Sequence, residues 1–280
     1  MIRKSLFFLA FQMALWIPCS AAVAQEKAAT EKPWKRSSLK LGAAISVSDT
    51  SVRLGAEGLG LSLKLEDLLG VEQSVSTIRL EGFWRFAPKR RHRLDFTWFS
   101  FSRSGFNSIN QAIDIGDITI PANANIRTEL DVDVYRVGYS YSFFQDNRFD
   151  LAVATGLYVI PLRFQLDAEG LSDVFVSESI TAPLPLLGLR VDMAITPKWF
   201  LRSSFDWFYL EFGDFRGAVF DTQVAVEYFA FKNVGFGVGV ENLQMLIEAE
   251  NDEWPGVDFR GKFDLNAVQA IAYLRFYFGK

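Results

Sequence analysis

Apolar residues recur at every second position along most of this chain. Near its end, Val268, Ala270, Ala272, Leu274, Phe276 and Phe278 alternate with Gln269, Ile271, Tyr273, Arg275 and Tyr277. A period of two sends successive side chains to opposite faces, so the pattern predicts a β-strand with one wholly apolar face. The same reading sets Leu94, Phe96 and Trp98 opposite Arg93, Asp95 and Thr97. Trp199, Leu201, Phe205, Trp207 and Tyr209 stand opposite Arg202, Ser204 and Asp206. Phe220, Val224, Val226 and Tyr228 stand opposite Asp221, Gln223 and Glu227. Val234, Phe236, Val238 and Val240 oppose Gly235, Gly237, Gly239 and Glu241. Tyr135, Val137, Tyr139, Tyr141 and Phe143 share a face, with Arg136, Gly138, Ser140 and Ser142 behind them.

The strands are separated by two kinds of connection. Tight polar turns are read at Ala87–Arg91, Gln145–Arg148, Thr196–Lys198 and Lys232–Asn233, and longer ones at Ser104–Ile126, Asp167–Phe175, Gly213–Gly217 and Ala249–Val257. Short turns at one end and long loops at the other, joined by strands with one apolar face, are the pattern of a bacterial outer-membrane barrel. The expected fold is all-β: a transmembrane antiparallel up-and-down β-barrel. Strands are expected near 261–278, 234–248, 218–231, 198–212, 177–195, 149–166, 128–144, 92–103 and 74–86, with three shorter ones near 60–66, 51–57 and 38–48. That makes twelve, an even number that returns both termini to the periplasmic, tight-turn side. Ten is the alternative, because Gly55, Gly58 and Gly60 interrupt the first hairpins. The parity of the Tyr135 strand carries Asp131 and Asp133 to the apolar face. Residues 128–133 are therefore expected to project above the bilayer, since a charge in hydrocarbon costs on the order of 2–4 kcal/mol or less, depending on depth. Trp84, Phe86, Phe143, Trp199, Tyr228 and Phe278 collect beside the tight turns as one interfacial girdle, and Trp207, Tyr209 and Phe99 suggest the second.

Composition fits this use. The chain is 50% hydrophobic and 15% aromatic, yet no run after the N-terminus is long enough for a transmembrane helix. At the start, Arg3 and Lys4 precede the apolar run Leu6–Ile17, and Ala22-Val23-Ala24 offers a small-x-small cleavage site. Residues 1–24 read as a signal peptide, 25–36 as a short periplasmic tail and 37–280 as the barrel, in one domain. Cys19, the sole cysteine, leaves with the signal; Ile17 and Pro18 before it argue against lipidation. The mature chain then has no disulfide and no thiol nucleophile. Loss of Arg3 and Lys4 from the 29 basic residues leaves 27 against 33 acidic ones, a net charge of −6, which offers nothing to nucleic acid.

The inward ionisable set is Arg79, Arg85, Arg93, Arg136, Arg190, Arg202 and Arg275 against Glu81, Asp95, Asp150, Asp192, Asp206, Asp221, Glu227 and Glu241. The signs nearly balance, whereas an ion-selective pore favours a wall of one sign. Buried charges must be paired or wet. The mixture predicts cross-strand ion pairs that largely occlude a narrow lumen, and hence a structural or interaction role. A narrow passive channel for small solutes is the alternative. Small inward residues such as Gly138, Ala152, Ala154, Gly156, Gly188, Gly235, Gly237 and Gly239 leave room for it, although glycines also let strands approach closely.

Catalysis is not expected. His92, the only histidine, falls in a tight turn among Lys89, Arg90, Arg91 and Arg93, far from an outer rim where a proton-transferring histidine would work. No metal-ligand spacing or nucleotide fingerprint appears, so no metal and no cofactor are expected; Gly235-x-Gly237-x-Gly239 lies in a strand with no helix after it. Ser104–Ile126 carries a short β-like run, Ile113–Ile120, and reads as an extended hairpin or a lid. The acidic loop with Glu250, Asp252, Glu253 and Asp258 reads as solvated, with a divalent cation as the sharper possibility. Arg103, Arg127, Arg216 and Arg260 fall at outer strand ends, where guanidinium groups suit lipopolysaccharide phosphates.

The closing alternation resembles the last strand of Gram-negative outer-membrane barrels, with Leu274, Phe276 and Phe278 as the membrane-insertion signal, here followed by Gly279 and Lys280. The chain further resembles proteobacterial outer-membrane proteins of the OmpA-like β-barrel type. The likeness rests on Asp49-Thr50-Ser51-Val52-Arg53-Leu54, Leu65-Glu66-Asp67-x-Leu69-Gly70, Trp84-Arg85-Phe86 with Arg91-His92-Arg93-Leu94, and Pro183-Leu184-Pro185-x-x-Gly188. It implies an outer-membrane location, with membrane lipid, lipopolysaccharide and the barrel-assembly machinery as partners, and it carries no catalytic motif.

Overall fold

The computed structural model describes residues 33–54, 62–65, 74–108, 112–115, 118–168, 175–213, 215–249 and 261–279. Ten long strands form one antiparallel ring: β1 (Ser37–Leu54), β2 (Ser74–Arg85), β3 (His92–Ser108), β4 (Asn125–Gln145), β5 (Phe149–Ala168), β6 (Phe175–Ala194), β7 (Trp199–Phe212), β8 (Phe215–Phe231), β9 (Val234–Ala249) and β10 (Gly261–Phe278). Each pairs with its neighbours in sequence, and β1 closes the ring on β10 from Ser37↔Phe278 to Leu54↔Gly261. Closure gives each of the ten long strands a partner on both sides. The first 24 residues lie outside the described residues.

The count is ten, not twelve. The segments expected as two strands at 38–48 and 51–57 are the single strand β1. Its alternation runs on through Asp49 and Thr50, and β10 offers an unbroken ladder along its whole length. A break at residues 49–50 would leave the ladder groups of Gly261–Asn266 unpaired. The strand expected at 60–66 is the three-residue Ser62–Lys64, which pairs with β1 at Ser51–Arg53. The long loop read at Ser104–Ile126 is mostly strand, because β3 and β4 pair out to Ser108↔Asn125. Its β-like run is a small separate hairpin, Ile113–Ile115 with Ile118–Ile120. The connection expected at Gly213–Gly217 is tight: Phe212 pairs with Phe215, and Gly213 turns the chain with φ 56°.

Strand lengths are uneven. β4 has 21 residues and β5 and β6 have 20 each, whereas β2 has 12 and β7 has 14. About 9–11 tilted residues are enough to cross a bilayer, so the longest strands extend well beyond one. Two bulges, at Ser142/Phe144 and Phe229/Phe231, sit at the tight-turn end. The first turns both Phe143 and Phe144 outward and returns Gln145 to the interior.

Candidate functional site

The barrel changes character at one level of the ring. Toward the tight turns the outer face is apolar and the inner face polar; toward the long loops the two exchange roles on most strands, while β1 keeps Ser46, Ser48 and Thr50 inside. On β4, Tyr135 and Val137 face out and Arg136 faces in, but one turn of the pleat higher Asp131 and Asp133 are outside and Val132 and Val134 are buried inside. On β10 the outer face passes from Val268 to Asn266 and the inner face from Gln269 to Ala267. Thr97 gives way inside to Phe99 on β3, Tyr158 to Ile160 on β5, Asp221 to Val219 on β8 and Glu241 to Leu243 on β9. The interior is thus a stack of three layers.

The layer nearest the tight turns holds an aromatic cluster, at the same end of the ring as the Arg85–Asp150 pair, where Arg85 donates to the Arg90 carbonyl. Trp34, just before β1, is 2% exposed and packs among Phe83, Phe200, Phe229 and Tyr277. Its indole N–H donates to the Asp146 carbonyl at 2.6 Å, and its own carbonyl accepts from Arg90 at 2.8 Å. Phe229 stacks on Tyr277 with ring centroids 4.8 Å apart. The sequence left Trp34 in the N-terminal tail, because one aromatic before a strand has no periodicity to mark it.

The middle layer brings the predicted ionisable residues together. Arg79, 1% exposed, donates to Glu241 at 3.0 Å and reaches Glu81 at 3.4 Å. Arg85 meets Asp150 at 2.6 Å. Asp192 is shared by Arg93 at 3.4 Å, Arg202 at 3.3 Å and Arg85 at 3.7 Å. Glu227 accepts from Arg202 at 3.1 Å and Tyr273 at 3.1 Å, binds the Tyr277 hydroxyl, and lies 3.4 Å from Arg275. Arg93 pairs along its own strand with Asp95 at 2.5 Å. Arg190 and Arg202 bypass their strand neighbours: Arg190 and Arg136 both converge on Asp206, at 2.6 and 2.8 Å. Asp221 accepts from the Tyr158 hydroxyl at 2.8 Å. The sequence reading missed Lys40, which meets Glu81 at 2.5 Å; its place between Leu39 and Leu41 marks it as inward by parity alone. Most of these groups, though not Arg85, Asp150 or Glu227, line a cavity of about 80 Å³, room for a few water molecules.

The glycines of this layer are occupied space. A Cβ on Gly237 would fall 2.1 Å from the Tyr273 ring, and one on Gly188 would fall 2.1 Å from the Asp206 carboxylate. The third layer is the apolar core of the long-loop half, which includes Phe101, Leu130, Leu162, Phe164, Met245 and Phe263. Arg79 closes the middle layer against it, its guanidinium 4.1 Å from the Phe99 ring centroid.

Two expectations are corrected. Phe99 does not join an outer girdle; it is buried in the interior, 2% exposed. Arg103 is likewise interior, donating to Ser48 at 2.8 Å and to Thr50, because it keeps the parity of Phe99 and Phe101 and so turns away from any outer phosphate. Arg127 is on the outer face, and Arg216 pairs with Glu211 and Glu248 at 3.1 and 3.2 Å. Arg260 and the acidic residues Glu250, Asp252, Glu253 and Asp258 lie outside the described residues. Leu274, Phe276 and Phe278 stand together on the outer face of β10. His92 is at the tight-turn end, its Nδ1 2.7 Å from the Tyr139 hydroxyl and its ring beside Phe86 and Tyr141.

No protein-family model and no curated protein matches the chain. Among solved structures it is similar to the outer-membrane protease OmpT of Escherichia coli, with a TM-score of 0.51 and 11% identity over 90% of this chain and 99% of that one. The translocator domain of the autotransporter NalP from Neisseria meningitidis follows at TM-score 0.48 and 11% identity, covering 86% of this chain and 88% of its own. Ail of Yersinia pestis aligns at TM-score 0.34 and 8% identity over 86% and 99% of the two chains. The fold is that of an outer-membrane β-barrel.

Proposed function

We propose that this chain is an integral outer-membrane barrel with a closed interior, whose role is structural or is exercised through its outer rim. The observation that carries this reading is the exchange of faces at one ring level. An apolar belt outside a polar interior suits the bilayer, and a polar wall around an apolar core suits water. The belt would lie in lipid with the tight turns toward the periplasm. The long-loop half would stand above the membrane as a filled, soluble-type barrel. Aromatics and paired charges fill the tight-turn half and a mainly apolar core fills the long-loop half; this packing among the described residues supports a closed interior over solute passage.

A likeness at 11% identity lends no activity to this chain. The contacts of His92 with Tyr139, Phe86 and Tyr141 favour a place in the aromatic collar over proton transfer. Insertion would begin from β10, with Leu274, Phe276 and Phe278 offered to the assembly machinery.

Single-channel recording tests the closed interior. Mature protein, shown to be folded by heat-dependent gel mobility, is expected to leave a planar bilayer silent. A steady conductance that shifts on charge reversal at Arg190 or Asp206 would overturn the reading in favour of a narrow channel.

A further inference from the structure

The tight-turn rim carries an excess of unpaired positive charge. Lys89, Arg148, Lys198 and Lys232 occupy the four tight turns and are exposed, and Arg36 and Lys35 join them from the N-terminal side. The one acidic side chain at this rim among the described residues is Asp146. Its carboxylate is taken up by the backbone N–H groups of Arg148 at 2.7 Å and Phe149 at 2.6 Å. Three of the cations converge. Lys35, Lys198 and Lys232 line a cavity of about 300 Å³ together with Pro33, Pro197 and Phe231. No carboxylate faces these lysines among the described residues. Phe231 is 68% exposed and leads outward to Trp199 and Tyr228 on the apolar belt.

We propose that this cavity binds the headgroup of an anionic phospholipid, with the lysine ammoniums on the phosphate and an acyl chain running past Phe231 onto the belt. Three cations beside the apolar lining of Phe200, Phe229 and Phe231 fit an amphiphile with a negative head. A free phosphate would use only half of the cavity. The inference rests on the proposed membrane placement, which sets this rim at headgroup depth beside the aromatic collar.

Native mass spectrometry of the folded mature protein tests it, with phosphatidylglycerol and phosphatidylethanolamine of identical acyl chains supplied in equal amounts. Phosphatidylglycerol should be retained at least about tenfold over phosphatidylethanolamine, and K198Q and K232Q should each reduce that preference about fivefold, as expected for one lysine at a membrane surface. The triple variant K35Q/K198Q/K232Q should show none, whereas K262Q, at the opposite end of the barrel, should behave as wild type. Equal retention of the two lipids by the wild type overturns the proposal. So does displacement of phosphatidylglycerol by an equal concentration of soluble glycerol phosphate, which would make the ligand a free phosphate. Insertion is read separately, by heat-dependent mobility after folding into vesicles of phosphatidylcholine alone. Folding there without a lipid preference removes this inference only; failure to fold there removes the membrane placement and this inference with it.

Discussion

Tyr273 shows how single positions set the interior. Its ring lies over Gly237 on one side, while Gly42 faces its Cβ on the other, and its hydroxyl reaches Glu227 at 3.1 Å. Only a residue without Cβ leaves that path open. Gly237→Leu should push the ring aside, break the bond to Glu227 and destabilise the barrel by about 1–3 kcal/mol, the usual cost of overpacking; the urea midpoint of the gel-mobility shift reads it directly. Arg79 makes the complementary case. Buried between Glu241 and Glu81, it is the cation against Glu241, whereas Glu81 also has Lys40. Arg79→Leu should cost about 3–5 kcal/mol, because Glu241 is left buried and unpaired, while R79L/E241L should recover most of that loss. Equal stability of the single and double variants, by urea unfolding followed through tryptophan fluorescence, would show that the pair does not matter as a pair.

At the scale of the element, β4 carries the informative pattern. The sequence placed Asp131 and Asp133 on the face of Tyr135 and Val137, and only a strand longer than the apolar layer can hold both kinds of residue on one side. The structure supplies that length, and it supplies what the charges alone did not disclose: Val132 and Val134 fill the interior behind them. The mature chain as read has no cysteine, so labelling of engineered ones is clean. In intact cells a membrane-impermeant maleimide should modify Asp133→Cys, and should leave Val137→Cys unmodified in the lipid belt. Val134→Cys should react only after denaturation. Modification of Val137→Cys in folded protein would contradict the belt. Strand boundaries were legible wherever apolar positions ran on without interruption, as in β10. They were misread in β1, where Asp49 and Thr50 look like a turn until the unbroken ladder of β10 is placed beside them.

At the scale of the whole molecule, the proposed closed interior is built from layers in series, so that no one of them would close the barrel alone. Removing the floor should therefore cost stability without opening a pore. Trp34→Ala is expected to destabilise the barrel by about 3–5 kcal/mol, as for other buried aromatics, while bilayer conductance stays at baseline because the apolar core above is untouched. Conductance in that variant would mean that the floor is the only seal.

What the sequence determined by itself is parity: which side chains face in, which face out, and at which positions the charges concentrate. Parity is a local property of the pleat and needs no partner strand. Which arginine meets which carboxylate is not local. Arg79 and Glu241 are 162 residues apart, and they touch only because ten strands close into a ring of fixed circumference and register. The same closure decided that Trp34 is buried among the end aromatics and that Gly188 and Gly237 face neighbouring side chains. Alternation names the faces of a strand; only the closed ring gives the inner face something to pack against.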